Sequence, residues 1–552
     1  MDTAHATLQR RWQALQQERT SWVPHWQEIS KYLLPRSGRY FLSDRNRRSP
    51  RYNSIYDSTG TRALRTLAAG LMAGMTSPAR PWFRLSTADP DLAKFGAVKV
   101  WINQTTMLMR RVFHRSNTYR ALHSLYEELG AFGTGASIII ADYNRVIHQH
   151  PLTAGEYALA TDWKGDVVTL YREFEQTVGA LVREFGIENV TDSTRKAFNE
   201  GALDGWVRVV HAIEPRADRD PKARDAKNKP WRSVYFEQTA RKGKTLRDSG
   251  FDRFPAVCPR WSVSGGDIYG NSPGMEALGD VKQLQQEQLR KGQGIDYMTN
   301  PPLQVPTSLK NRDVDILPGG VTFVDSGPNA GIRTQFDVRI DLSHLLADIQ
   351  DVRGRINSAF YADLFLMLTQ RADARMTATE VAERHEEKLL MLGPVLERLH
   401  NELLDPMIEI TFHHMLAAGI LPPPPQEMQG MDLNVEFVSM LAQAQQAVGT
   451  NSIDRFVGTL GQVVMLKPDV ADKLDSDHWA DAYGDMLGID PEMIVPADKV
   501  ALVRKARAEQ AQKQAQTEQA VQASQALKNT SQVDTQQMGD IMDMFSGYTT
   551  GA

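Results

Sequence analysis

A single cysteine, Cys258, stands in 552 residues. Its isolation excludes an intramolecular disulfide framework and a cysteine-rich zinc module, so the chain reads as matured in a reducing compartment. Long apolar runs are missing too. The most apolar helical stretch, Leu64–Met75, carries Arg65 and falls well short of the ~20 residues that a membrane span needs. Its Gly70/Gly74 pair matches GxxxG, a spacing with meaning only inside a lipid-embedded helix. The N-terminal MDTAHATLQRRWQALQQERTSW is polar and charged, so no signal peptide is expected. An excess of one charge is also absent: 63 Lys and Arg against 67 Asp and Glu leave −4. That excludes a histone-like or sequence-reading DNA binder that grips by bulk charge. Together these absences predict an intracellular, soluble protein.

Catalytic signatures are incomplete. Gly243-Lys244-Thr245 supplies the end of a phosphate loop, but Gln238 occupies the place of its first glycine, and 238–242 reads as a hairpin turn. Gly133-Thr134-Gly135 precedes a strand, the wrong order for a dinucleotide fold, and reads as a turn. His385-Glu386-Glu387 opens like a zincin motif, yet Leu389 stands where the second histidine belongs. His148 and His150 have no evident third ligand, and His413-His414 has only Glu409 a turn earlier. No G-x-S-x-G elbow occurs, and Cys258 in Ala256-Val257-Cys258-Pro259 reads as a buried strand end. No catalytic residue, metal site or cofactor is expected.

What is present is ordinary globular composition, 41% hydrophobic and 24% charged, over a length that suggests ~3–4 domains. The patterns predict an α+β, mainly helical fold. Apolar positions predict helix over 5–34, broken or kinked at Pro24, over 59–77 after the caps Asp57-Ser58-Thr59, and over 97–129. An arginine-rich loop, 43–51, separates the first two. Residues 145–265 read as a lobe of antiparallel strands (Trp206–Ala212, Ser233–Gln238, Ala256–Val263) with a helix near 171–186.

Beyond Tyr269-Gly270-Asn271-Ser272-Pro273 the character changes. A long polar helix is predicted over 273–298, ending at Asn300-Pro301-Pro302, and short strands and turns over 303–340. A second long helix spans 341–366, with Leu345, Ile349, Val352 and Ile356 on a narrow seam suited to helix-on-helix packing. Across 341–365 four Asp face two Arg, and across 377–404 six Glu face three cations, whereas Arg371 and Arg375 flank Asp373 between them. Solvated helix faces would explain these charges equally well. A third long helix runs to about 418, bent at Gly393-Pro394. Pro422–Pro425 forms a stiff hinge, and helices follow at 436–447, 452–465 and 479–486. From about 497 the chain is rich in Ala and Gln, which favours helix but offers almost no apolar face. Such a segment is either a disordered tail or a helix packed against identical copies.

Several stretches resemble, in order, the portal or head-to-tail connector family of short-tailed bacteriophages. They are Trp12…Arg19…Trp22…Trp26…Tyr32-Leu33-Leu34-Pro35; Tyr56-Asp57-Ser58-Thr59-Gly60 with Leu67-Ala68-Ala69-Gly70-Leu71 and Thr76-Ser77-Pro78-Ala79-Arg80-Pro81-Trp82-Phe83; and Tyr269–Gly274 leading to Asn300-Pro301-Pro302. They cover most of 10–420. The resemblance implies a ring of about twelve copies around a channel for double-stranded DNA, in the virion at the capsid portal vertex, after synthesis in the host bacterial cytoplasm. Residues 1–270 and 377–496 would form the wing, 271–302 and 341–366 the two stem helices, and 303–340 the clip. Residues 367–376 would form the tunnel loop and 497–552 the crown or barrel. It would place Gln370, Arg371, Arg375 and Arg353 along the channel, and Leu345, Ile349, Val352 and Ile356 in subunit packing, because so narrow a stripe needs a neighbouring subunit. Lys310, Arg312, Asp313 and Asp315 would sit in clip docking. Implied partners are the terminase large subunit, tail adaptor and tail proteins, and the major capsid and scaffolding proteins, with no membrane.

Two other classes stay open. A different phage connector or tail adaptor would lack the stem–clip–stem order, and a packaging enzyme would need a complete phosphate loop.

Overall fold

The computed structural model describes residues 4–40, 54–87, 96–220, 222–223, 225–239, 245–306, 317–324, 333–335, 343–369, 392–428, 433–437, 456–463, 467, 469, 474–476, 479, 495 and 497–530. The chain divides into two compact units, Met1–Val448 and Gly449–Ala552.

In the first unit, α1 (Ala4–Arg19) turns Leu8, Trp12 and Leu15 inward, three positions at helical spacing. They cover one face of a five-stranded antiparallel sheet, and Trp12 lies parallel to Tyr171 at 6.1 Å. The strands are β4 (Tyr157–Thr161), β5 (Val167–Thr177), β6 (Trp206–Pro215), β7 (Trp231–Glu237) and β8 (Arg247–Phe251), ordered as in sequence. The opposite face is closed by Leu181 and Phe185 of α6 (Val178–Phe185) and by Val190 in the connection to α7 (Asp192–Asn199). Strands β7 and β8 are adjacent and antiparallel; Gly243 and Lys244, between them in the chain, lie outside the described residues. The first half of the predicted helix near 171–186 is strand: β5 pairs with β6 from Leu170 to Thr177, and only then does Thr177 cap α6, which fills the second half.

A second sheet, β3-β2-β9, is formed by β2 (Ala136–Asp142), β3 (Val146–Leu152) and β9 (Ala256–Val257). The last is far shorter than the strand predicted over 256–263. The main core gathers around α2 (Val23–Tyr32), α3 (Thr59–Met75), α4 (Gly96–Arg115) and α5 (Thr118–Phe132). The first predicted helix breaks at Thr20–Trp22, and Pro24 sits in the first turn of α2, where its missing N–H costs nothing. The helix predicted over 97–129 also breaks, at Asn117. The Asn117 side-chain amide donates to the Gln149 carbonyl (2.7 Å) and its oxygen accepts the Gln149 N–H (2.9 Å), so tertiary bonds replace helical ones there. The helix predicted over 436–447 begins instead as β13 (Leu433–Phe437), paired antiparallel with β1 (Phe83–Thr87); its remainder lies outside the described residues.

The chain then runs through α8 (Pro273–Glu276), α9 (Leu278–Thr299), β10 (Leu303–Pro306), β11 (Val321–Val324) and β12 (Arg333–Thr334), and returns as α10 (Ser343–Ala359) and α11 (Ala362–Thr369). Strand β10 pairs parallel with β11 and antiparallel with β12. Helices α12 (392–399) and α13 (Asp405–Ala417) flank a π-helical turn, His400–Leu404. Arg260 fastens this turn: its backbone N–H and guanidinium both donate to Glu402 (2.8 and 2.6 Å), and it also reaches the Gly165 carbonyl (2.9 Å). Cys258 is buried beside it, and burial pushes its thiol pKa up. The second unit contains α14 (456–463) and α15 (Ala497–Thr530); the described side chains of α15 are exposed almost throughout. Among the described residues no helix is long and apolar enough to cross a membrane.

One buried acid ties the core to its loops. Glu128 of α5 accepts from Thr153 Oγ1 (2.8 Å) and from the Ala154 N–H (3.1 Å), while Thr153 Oγ1 accepts the Gly38 N–H (2.7 Å). Burial pushes its carboxyl from 4.5 up to about 7, against the opposing pull of these hydrogen bonds. A raised acid pKa means that the native state binds the proton more tightly than the unfolded chain. Its contribution to stability is therefore complete below pH 4.5 and is lost as pH rises to about 7. Glu128→Gln should flatten the pH dependence of stability in that window, read as the difference between urea midpoints of the two proteins.

Candidate functional site

The segment Tyr56-Asp57-Ser58-Thr59-Gly60 opens α3, and both long helices of the α9–α10 hairpin hold it. From α9, Gln285 Oε1 accepts the backbone N–H groups of Tyr56 (2.7 Å) and Asp57 (2.8 Å), and its amide donates to the Asp57 carbonyl (3.0 Å). Asp57 Oδ2 accepts from Gln288 of α9 (3.0 Å) and from the Arg353 guanidinium of α10 (2.7 and 3.1 Å). Asp57 Oδ1 accepts from the Thr59 N–H (2.8 Å) and hydroxyl (2.5 Å). Burial alone would raise the Asp57 carboxyl, but the Thr59 and Arg353 hydrogen bonds outweigh it and hold its pKa below the ordinary value. The two helices are further cross-linked by Arg355, which meets Asp280 (3.2 Å) and Asp351 (2.9 Å), and Lys282 joins α9 to Glu28 of α2 (2.8 Å).

The seam on α10 faces this base. Ile349, Val352 and Ile356 are buried in the main core with Phe360, and Leu345 packs partly against it. The expectation that so narrow a stripe needs a neighbouring subunit is thus corrected, since α9, α3 and the residues around them cover it within one chain. The predicted helix 341–366 breaks at Tyr361, which adopts φ +54, a conformation rarely taken by a side-chain-bearing residue. After the break, Leu364 and Phe365 of α11 turn back into the core, and the Phe365 ring lies against Gly70 so closely that a Cβ there would overlap it. The Gly70 of the GxxxG pattern therefore serves a packing contact. Helix α11 leads directly to the segment proposed for the tunnel.

Arg353 sits at the base of the hairpin with its guanidinium on Asp57. Gln370, Arg371 and Arg375 lie outside the described residues, as do Lys310, Arg312, Asp313 and Asp315. The glutamines of α9 were missed in the sequence, although a run as polar as QLQQEQ on a helix with a thin apolar stripe signals a buried polar contact. Among the described residues no three metal-binding side chains converge. His148 and His150 form only a ring pair, 4.6 Å apart.

Comparison with known proteins gives these elements a context. The family model described as bacteriophage head to tail connecting protein matches residues 5–495. The "Probable portal protein" of Bordetella phage BPP-1 is 62% identical over 551 residues, 99% of this chain and 99% of that protein. The "Portal protein" of Salmonella phage epsilon15 is 45% identical over 537 residues, 97% of this chain and 96% of its own. Among solved structures, a chain of "Neck of empty GTA particle computed with C6 symmetry" aligns over 82% of this chain and 96% of its own at 12% identity and a TM-score of 0.38, too loose an overlap to speak for a common arrangement. The match over nearly the whole length, by model and by relatives, establishes that the chain belongs to the bacteriophage head-to-tail connecting family, the portal proteins.

Proposed function

We propose that the chain works as a ring of about twelve copies at one capsid vertex, a channel through which double-stranded DNA is packaged and later ejected. The observation that carries this reading is the hairpin α9–β10/β11/β12–α10: two long antiparallel helices, fixed at their base by Asp57 and carrying a small sheet at the far end. Copies of such a hairpin set side by side make a tube with a projecting rim. In this reading α9 and α10 are the stem and 303–340 the clip. Residues 367–376 are the tunnel loop, and the exposed helix α15 finds cover against its copies as a crown. Duplex DNA carries one charge per ~1.7 Å, so a uniformly basic wall would hold it by counterion release. The acidic balance of 341–365 with a few basic positions at Arg371 and Arg375 lets DNA slide while keeping it centred. The clip, through Lys310, Arg312, Asp313 and Asp315, offers a small mixed-charge surface suited to successive partners, first the terminase large subunit and then a tail adaptor. Capsid and scaffolding proteins would meet the wing.

The assembly is tested by negative-stain microscopy and light scattering of the purified full-length protein. Rings with an axial hole and a mass near twelve times 61.9 kDa are expected. Compact monomers that hydrolyse ATP, with activity lost in Lys244→Ala, would overturn it in favour of a packaging enzyme. The channel loop is tested separately. Arg371→Ala with Arg375→Ala should leave rings intact and weaken DNA retention in filled heads by a few-fold, an effect that fades as salt rises. Retention unchanged at low salt would remove both arginines from the channel.

A further inference from the structure

Among the described residues, one face of α4 has no partner. Val98, Trp101, Ile102, Met109, Val112 and Phe113 point into the core. The opposite stripe, at four-three-four spacing, is Val100, Gln104, Met107 and Arg111; Val100 is 56% and Met107 48% exposed. Beside it the chain leaving α13 is pinned parallel to the helix. Gly419 (φ +65) closes α13, the Ile420 N–H donates back to the Met415 carbonyl (3.1 Å), and the Trp101 indole donates to the Pro422 carbonyl (2.9 Å). Between the two lies an open groove of about 380 Å³ floored by Met107, Leu108, Ile420, Leu421 and Pro422, with Arg111 on its rim. Ile420 is 40% and the neighbouring Leu416 55% exposed. Helix α4 also carries Lys99, Arg110, Arg111 and Arg115 and no carboxylate, and among the described residues Arg111 and Arg115 form no ion pair. The helix dipole accounts for cations in the last turn but not for the apolar stripe that continues them.

We propose that this groove is a docking surface for an acidic amphipathic helix of another protein, which lays an apolar face on Met107 and Ile420 and sets carboxylates against Arg111 and Arg115. A preformed trough between a helix and a stiff proline-bearing segment, with apolar anchors at helical spacing, suits helix-in-groove recognition. A DNA duplex would meet the arginines but gains nothing from the exposed Val100, Met107, Leu416 and Ile420. A second copy presenting the same face would oppose arginine to arginine.

The test is fluorescence anisotropy of a labelled Glu/Leu amphipathic peptide titrated with the purified full chain. Met107→Ser with Arg111→Ala should weaken the Kd at least about tenfold, roughly 1.4 kcal/mol, and salt should weaken it further. Both side chains are exposed, so the parent circular-dichroism melt is kept; Val100→Ser on the same stripe gives a second, milder reading in the same direction. Four outcomes would overturn the proposal: no binding by the parent, equal binding of polyglutamate, displacement of the peptide by duplex DNA at equal charge, or loss of self-association in the variant by sedimentation.

Discussion

A buried carboxylate must be met by donors or by a cation, and Asp57 is met by both. Thr59 holds one oxygen, while Gln288 and Arg353 hold the other, so a single side chain joins the start of α3 to α9 and to α10. Removing the Asp57 carboxylate would strip Thr59, Gln288 and Arg353 of their shared acceptor at once, which costs more than any one of the bonds contributes. From this junction the rest follows. Helix α3 carries the hairpin into the core, Gly70 of α3 admits Phe365 from α11, and α11 aims the chain at the segment beyond Thr369. The part of the molecule that reaches outward is thus held by polar bonds of fixed geometry, and apolar packing fills the space around them.

This division has a mechanical sense. A narrow apolar seam resists separation but permits sliding and rotation, whereas directional charge-assisted hydrogen bonds between guanidinium and carboxylate fix register. In the hairpin both are present: two guanidinium nitrogens of Arg353 meet one Asp57 oxygen, and Arg355 adds a single ion pair from α10 to Asp280. On these helices Asp280, Lys282, Asp351, Arg353 and Arg355 all sit in ion pairs, whereas Arg111 and Arg115 of α4 meet no acid among the described residues.

Much of the architecture was legible in the sequence: α3 after Asp57-Ser58-Thr59, the polar helix after Tyr269–Pro273, and the antiparallel lobe. What failed did so where a distant residue decided a local outcome. Periodicity located the seam Ile349/Val352/Ile356 but could not say what covers it, so a second subunit was inferred where α9 and α3 suffice. No Gly or Pro marks the break at Asn117, which is made by Gln149 thirty-two residues away. Likewise Tyr361 is not a residue that announces φ +54, and β13 becomes a strand only because β1 waits for it some 350 residues earlier in the chain. Arg353 was placed along the channel by the resemblance; its partner is an acid visible in the motif, but their pairing needs the fold.

The central claim is that the stem hairpin is secured inside its own chain before any assembly. Hydrogen exchange of the dilute, unassembled protein tests it most directly. The account predicts that amides around Leu284–Gln288 of α9 and Ile349–Ile356 of α10 are protected to the same degree as those of α3. Exchange of both helices at the rate of an unfolded chain, with protection gained only when copies associate, would contradict it.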